Sequence, residues 1–205
     1  GPNYAEAEPP PKPAEVAAGD GIYPDVDAAV AAARRAFFET SWAASPRLRA
    51  QALFEIADRL EAAKDEIADL VVAENGKIRA EALGETMGAI SETRYYAGLA
   101  RNIRGTMQET APGNLSLFNR EPAGVAGIIV PWNFPLMIGA WMLGPALASG
   151  CSVVLKPAET ASLTLLRIAE LALEAGLPAG VLNVVTGEGA VVGAAIDESM
   201  DVDVL

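Results

Sequence analysis

The apolar positions change period along the chain. From Asp25 to about residue 103 they recur at three- and four-residue intervals, the spacing of helices with one face turned inward. Val26, Val30, Ala33 and Phe37 form a first face, with Asp25 placed to cap it. Ser45-Pro46 opens a longer helix, a capping residue followed by proline at the first helical position. Its apolar face is Leu53, Ile56, Leu60, Ile67 and Leu70/Val71, and Asn75-Gly76 predicts its end. A third helix, over about residues 78–103, is expected to turn Leu83, Met87, Ile90 and Leu99 inward. Glu81, Glu85, Glu92, Arg94 and Arg101 would face outward as solvated surface.

After Gly105 the period falls to two. Asn114 to Arg120 alternates and follows a Pro112-Gly113 turn, so it reads as an exposed strand, half of a β-ribbon. Such an edge is either an oligomer contact or a plain surface hairpin, and the pattern does not choose between them. From Gly124 onward, short β-branched runs alternate with helix-length segments. Val125–Val130, Ser152–Leu155 and Val181–Val185 have the composition of parallel strands buried on both faces. Pro135–Ser149 and Leu163–Ala175 are the helices between them, ending at Gly150 and Gly176. Pro145 predicts a kink or interruption in the first. A further helix should follow Gly189, and residues 201–205 read as a strand only begun, so the chain is expected to stop in mid-unit. The fold class is α/β.

Composition narrows the functions. Hydrophobic residues make up 51% of the chain, enough for a sizeable core. The net charge of −12, with no run of Lys or Arg, argues against nucleic acid and anionic membranes as partners. There is no His, which removes the Ser-His-Asp triad and His-based metal sites; no metal is expected. One Cys cannot form an intrachain disulfide and fits a reducing compartment. Neither a signal peptide nor a membrane span is expected, since Leu136–Ala148 is too short to cross a bilayer. A soluble cytoplasmic protein is the expectation.

Four strings carry candidate chemistry. Pro131-Trp132-Asn133-Phe134-Pro135 holds an amide rigidly at a strand end, where it could stabilise charge developing on a carbonyl oxygen, or simply cap the helix at Pro135. Lys156-Pro157-Ala158-Glu159 follows a buried strand, at the sheet end where open α/β folds bind ligands. It could grip hydroxyl or phosphate oxygens, or be an ion pair at a helix start. Thr186 to Gly193 is a glycine-rich turn, read either as a phosphate cradle or as a tight strand-to-helix turn. Cys151 enters a buried strand with no His to activate it, which favours a structural thiol over a nucleophile.

Together, E-P-A-G-V-A-G-I-I-V-P-W-N-F-P, G-P-A-L-A-S-G-C-S-V-V-L-K-P-A-E and G-L-P-A-G-V-L-N-V-V-T-G resemble the NAD(P)-dependent aldehyde dehydrogenase superfamily, over about Ile22 to Leu205. The resemblance implies a Rossmann-like parallel sheet, incomplete here, with N-terminal helices and a β-ribbon for oligomerisation. Residues 1–21 would be a Pro-rich arm, 22–105 helices packing on the cofactor domain, 106–121 the ribbon, and 122–205 the first half of the NAD-binding domain. Asn133 would be the oxyanion-hole donor. Val130, Pro131 and Trp132 would line the cofactor cleft, Lys156 and Glu159 would hold the adenosine ribose, and Gly189, Ala190 and Gly193 would flank the adenine and pyrophosphate. Glu159 implies NAD, with NADP disfavoured. The implied activity is oxidation of an aldehyde to a carboxylic acid through a Cys thiohemiacetal, in a homodimer or homotetramer. Met142 stands where the family often has Lys. The family's general-base Glu and nucleophilic Cys would lie beyond Leu205, so the chain alone is expected to be inactive. The alternative is a non-catalytic nucleotide-binding or oligomerisation fragment.

Overall fold

The computed structural model describes residues 22–205 apart from Pro24; the Pro-rich arm expected over 1–21 lies outside the described residues. The first described element is a short strand, β1 (Ile22–Tyr23). Helix α1 (Val26–Glu39) follows, with the Asp25 carboxylate accepting from the Ala28 N–H at 2.7 Å as its sequence position requires. The Ser45 hydroxyl caps α2 (Pro46–Ala62) by accepting from the Leu48 N–H.

The single long helix expected from Ser45 to Asn75 is two. It breaks at Ala63, and α3 (Lys64–Asn75) continues to Gly76, whose left-handed φ of 77° closes it. Ile67 and Val71 are buried while Leu70 is only partly so, a face that shifts with the break. Helix α4 (Arg79–Leu99) corrects the expected faces more sharply. Glu85 is buried, not outward, whereas Met87 and Leu99 are exposed. The buried ridge is Ala82, Thr86, Ala89, Thr93 and Ala97, small residues at helical spacing that let α2, α3 and α5 approach closely.

An antiparallel ribbon of β2 (Thr106–Ala111) and β3 (Asn114–Phe118) then projects with nearly every residue exposed. The remainder winds as a parallel unit: β4 (Val125–Ile129), α5 (Pro135–Ser149), β5 (Ser152–Lys156), α6 (Leu163–Glu174) and β6 (Leu182–Val185). Helix α5 passes through Pro145 without interruption. A five-residue π-helical turn (Gly189–Gly193) leads into α7 (Ala194–Glu198).

The sheet order is β1-β6-β5-β4, and Val204 makes a parallel bridge to Ala126 on the free side of β4. The alternation of strand residues divides the core into two layers. Val153, Leu155, Ile128 and Val184 face α2, α4, α5 and α6. Val125, Val154 and Val185 face Val30, Ala33 and Ile196, on α1 and α7. This is the Rossmann-like parallel sheet the resemblance implied, an open sheet with the Val204 bridge beyond β4. Among the described residues no helix is long and apolar enough to cross a membrane.

Candidate functional site

The topology selects one end of the sheet. The chain steps from β4 to β5 to β6 in one direction, then returns to the opposite side of β4 at Val204. That reversal is a topological switch point, and in open α/β sheets ligands bind outside the carboxyl ends of the strands there. The residues at that end are Val130 to Phe134 after β4, Lys156 to Glu159 after β5, and Thr186 to Gly193 after β6.

Three of these segments meet. Val130 is buried and its N–H donates to the Lys156 carbonyl at 3.0 Å, extending the β4–β5 pairing. The Lys156 side chain is 98% buried, with 2% of its surface exposed. Its ammonium donates to the Pro157 carbonyl at 2.8 Å and lies 3.6 Å from the Glu159 carboxylate. Glu159 in turn accepts from the Gly189 N–H. Its carboxyl is held below the usual range by its own backbone N–H, then by that of Gly189, with a smaller pull from the Lys156 ammonium. A methyl group placed on Gly189 would lie 3.4 Å from the Glu159 carboxylate. On Gly193 it would lie 3.5 Å from Ile129 and 3.9 Å from the Lys156 stem. Lys156, Glu159, Gly189 and Gly193 are therefore one cluster, with Val130 at its edge. Ala190, Pro131, Trp132 and Asn133 are exposed at the same end of the sheet.

The helix-cap reading of Asn133 does not hold. The residue at the cap position of α5 is Phe134, which makes no side-chain cap bond, and among the described residues the Asn133 amide has no hydrogen-bond partner. The cap comes instead from Glu85 on α4, which accepts from the N–H groups of Leu136 at 3.0 Å and Met137 at 3.1 Å. The matching N-terminus of α6 is capped the same way by Glu74 of α3, which accepts from Leu163, Thr164 and the Thr164 hydroxyl.

Cys151 is buried, 3.5 Å from the Ser149 hydroxyl, with its carbonyl accepting from the Trp42 indole at 3.0 Å. It lies at the amino end of β5, the opposite end of that strand from Lys156, as a structural thiol would. No group of three or more potential metal ligands occurs among the described residues.

A profile of the aldehyde dehydrogenase family matches residues 13–205. The chain belongs to the aldehyde dehydrogenase family. It is 43% identical over 194 residues to an Escherichia coli protein named NADP/NAD-dependent aldehyde dehydrogenase PuuC, covering 94% of this chain and 39% of that one. An Aspergillus niger aldehyde dehydrogenase is 44% identical over 189 residues, covering 92% of this chain and 38% of that protein. Among solved structures, an NAD-dependent aldehyde dehydrogenase from Sinorhizobium meliloti superposes with a TM-score of 0.84 at 44% identity, covering 87% of this chain and 36% of that one. An NAD+ complex of a Bacillus cereus aldehyde dehydrogenase gives the same score and identity, covering 87% and 37%. The chain thus spans a little over a third of the length of these relatives.

The donor set fits a dinucleotide. A lysine ammonium has three donors, and one bond to Pro157 leaves capacity for hydroxyl oxygens. An ionised carboxylate beside it can accept from a vicinal diol. Sequence reasoning missed Glu74, Asn75, Lys77 and Glu85, whose contacts reach across to the βα-loops. Lys77 and Glu85 are eight residues apart across a helix start, and no periodic signal connects them.

Proposed function

We propose that the chain supplies the first half of the cofactor cleft and the electrophilic side of an NAD-dependent aldehyde dehydrogenase that oxidises an aldehyde to a carboxylic acid. In this reading, residues 22–105 buttress the cofactor domain, 106–121 form the ribbon through which a homodimer or homotetramer assembles, and 122–205 open the NAD-binding domain. The observation that carries the reading is the Lys156–Glu159–Gly189 cluster at the carboxyl ends of β5 and β6.

Lys156 and Glu159 would hold the two hydroxyls of the adenosine ribose. The Glu159 carboxylate, kept ionised, would repel a 2′-phosphate and so prefer NAD. Val130, Pro131 and Trp132 would line the cleft, and Gly189, Ala190 and Gly193 would leave room beside the adenine and pyrophosphate. NAD, when bound, accepts the hydride. The Asn133 amide would donate to the substrate oxygen as negative charge builds on it, a contribution of about 3–4 kcal/mol for a well-placed donor. The one thiol of the sequence is buried, which supports reading it as structural; in this reading the chain by itself would be without turnover.

Calorimetric titration of the chain with NAD tests this reading. Binding that is lost in Lys156→Ala, and that shifts toward NADP in the exposed Glu159→Gln, supports it. Unchanged NAD affinity in both variants overturns it, as would NADH formation by the chain with NAD and an aldehyde panel for the claim of inactivity. The second reading, a non-catalytic oligomerisation fragment, is favoured by one observation, the exposed Met107, Leu115, Leu117 and Phe118 on the ribbon, and predicts no NAD binding at all.

A further inference from the structure

The segment 131–137 is held on both sides of Asn133 from the corner where α3 turns into α4, by Asn75 at the end of α3, Lys77 in the turn and Glu85 on α4. Before it, the Asn75 side-chain amide donates to the Trp132 carbonyl. After it, the Lys77 ammonium lies 3.6 Å from the centre of the Phe134 ring. Beyond that, one oxygen of Glu85 takes the N–H groups of both Leu136 and Met137, and its other oxygen accepts from Lys77. The Glu85 side chain has no exposed surface. Burying a carboxylate is costly unless its oxygens are fully paired, and here every partner is a backbone N–H in the first turn of α5 or the Lys77 ammonium. The Asn133 amide has no partner among the described residues, on a segment whose main chain is bonded at 132, 136 and 137 and whose Phe134 ring packs against Lys77.

We propose that Glu85, with Lys77 and Asn75, is the positioning group of the oxyanion donor. The corner fixes the backbone around Asn133 so that its amide is aimed before substrate arrives and need not be ordered during the reaction. This rests on the reading of Asn133 as the donor. Glu85 touches neither substrate nor cofactor; it acts through the main chain of α5. A freely rotating amide would need to be ordered in each turnover, whereas a preorganised one contributes its full electrostatic stabilisation.

The test is 15N relaxation on the intact chain, with the Asn133 side-chain resonance assigned by its loss in Asn133→Ala. The backbone amides of Trp132, Asn133 and Phe134 are expected at order parameters of about 0.85 in the wild type and below about 0.6 in Glu85→Gln. The strand amides of β4 to β6 should stay unchanged. Glu81→Gln, an exposed substitution one turn earlier on α4, should leave the segment ordered. If Glu85→Gln does not fold, Asn75→Ala and Lys77→Met, which remove contacts nearer the surface, carry the measurement. Unchanged order at 132–134 in every variant that folds overturns the inference. Addition of acetaldehyde addresses the underlying reading separately. A shift of the Asn133 side-chain amide supports the donor role, and its absence overturns that role while leaving the order parameters to decide the positioning one.

Discussion

Arg49 offers the sharpest energetic prediction. It lies on α2 and is 96% buried, with 4% of its surface exposed, in a protein where most arginines are on the surface. Its Nε donates to the Ala148 carbonyl at 2.9 Å, in the last turn of α5, where carbonyls lack an intrahelical partner. Its Nη1 donates to the carbonyls of Trp42 at 3.1 Å and Ala43 at 2.7 Å. Burial pushes the guanidinium pKa down from its ordinary value, with Cys151 opposing the shift. Substituting Arg49→Met keeps most of the stem's packing and removes all three bonds. The two wholly buried bonds, at about 1.5–3 kcal/mol each for a charged donor, set a gross loss of about 3–6 kcal/mol. Relief of the buried charge offsets part of it, leaving a net cost of about 3 kcal/mol. For a chain of this size that is a fall in Tm of about 6–12 °C. Circular dichroism on heating, with urea midpoints at constant m-value, measures it. Arg47→Met, two residues away and exposed, should change stability by less than about 0.5 kcal/mol. An Arg49→Met variant within about 1 kcal/mol of the wild type, or an equal loss in Arg47→Met, would refute the claim that Arg49 joins α2 to the end of α5.

Two further outcomes follow from the half-buried Glu74 and the buried Cys151. Glu74 has its pKa raised above 4.5 because desolvation outweighs the bonds from Thr164 and Leu163. The folded state therefore binds the extra proton, so the stability this group contributes is fully present below pH 4.5 and lost as pH rises through the folded pKa. In Glu74→Gln, whose side-chain oxygen still accepts from α6, that decline should vanish; urea midpoints against pH that run parallel in the two proteins would contradict it. Cys151 should resist iodoacetamide in the native state and react once urea unfolds the chain, as read by intact mass; native labelling would restore it as a nucleophile candidate.

Local rules were legible wherever a single residue type decides the backbone. Asp25 and Ser45 cap their helices, and Gly76, Gly150 and Gly176 end theirs with φ of 77°, 103° and 84°. The three buried strands stand where the β-branched runs put them, and Val204 joins the sheet as the final run predicted. The faces of α4 were legible in part: Ile90 is buried and Glu81 and Arg101 are exposed, but Met87, Leu99 and Glu85 depart from what size and charge indicate. That helix has helical neighbours on several sides, and Ala82, Thr86, Ala89, Thr93 and Ala97 make the contact while Met87 stays at the surface. The break at Ala63 carries no Pro or Gly signal. At the site, the strings around Asn133, Lys156 and Gly189 stood out because their neighbours are unusual. Glu85 did not, since a carboxylate on a helix reads as surface until the partner it caps is known.

The small-residue ridge of α4 also constrains how this region can change. A methyl group on Gly144 of α5 would stand 2.3 Å from the Tyr96 ring, and one on Gly88 of α4 would overlap the flexible end of Met137. Where helices meet through Ala, Thr and Gly, hydrophobicity is not what a replacement must preserve; Thr86 and Thr93 are buried there and bond the carbonyls of Ala82 and Ala89. Mutational drift along this seam is therefore bounded by a ceiling on size, with polarity free to vary as long as each hydroxyl can bond back to its own helix. Met137, whose N–H is bonded by Glu85, also covers Gly88, so the seam adjoins the first turn of α5, just after the loop that carries Asn133.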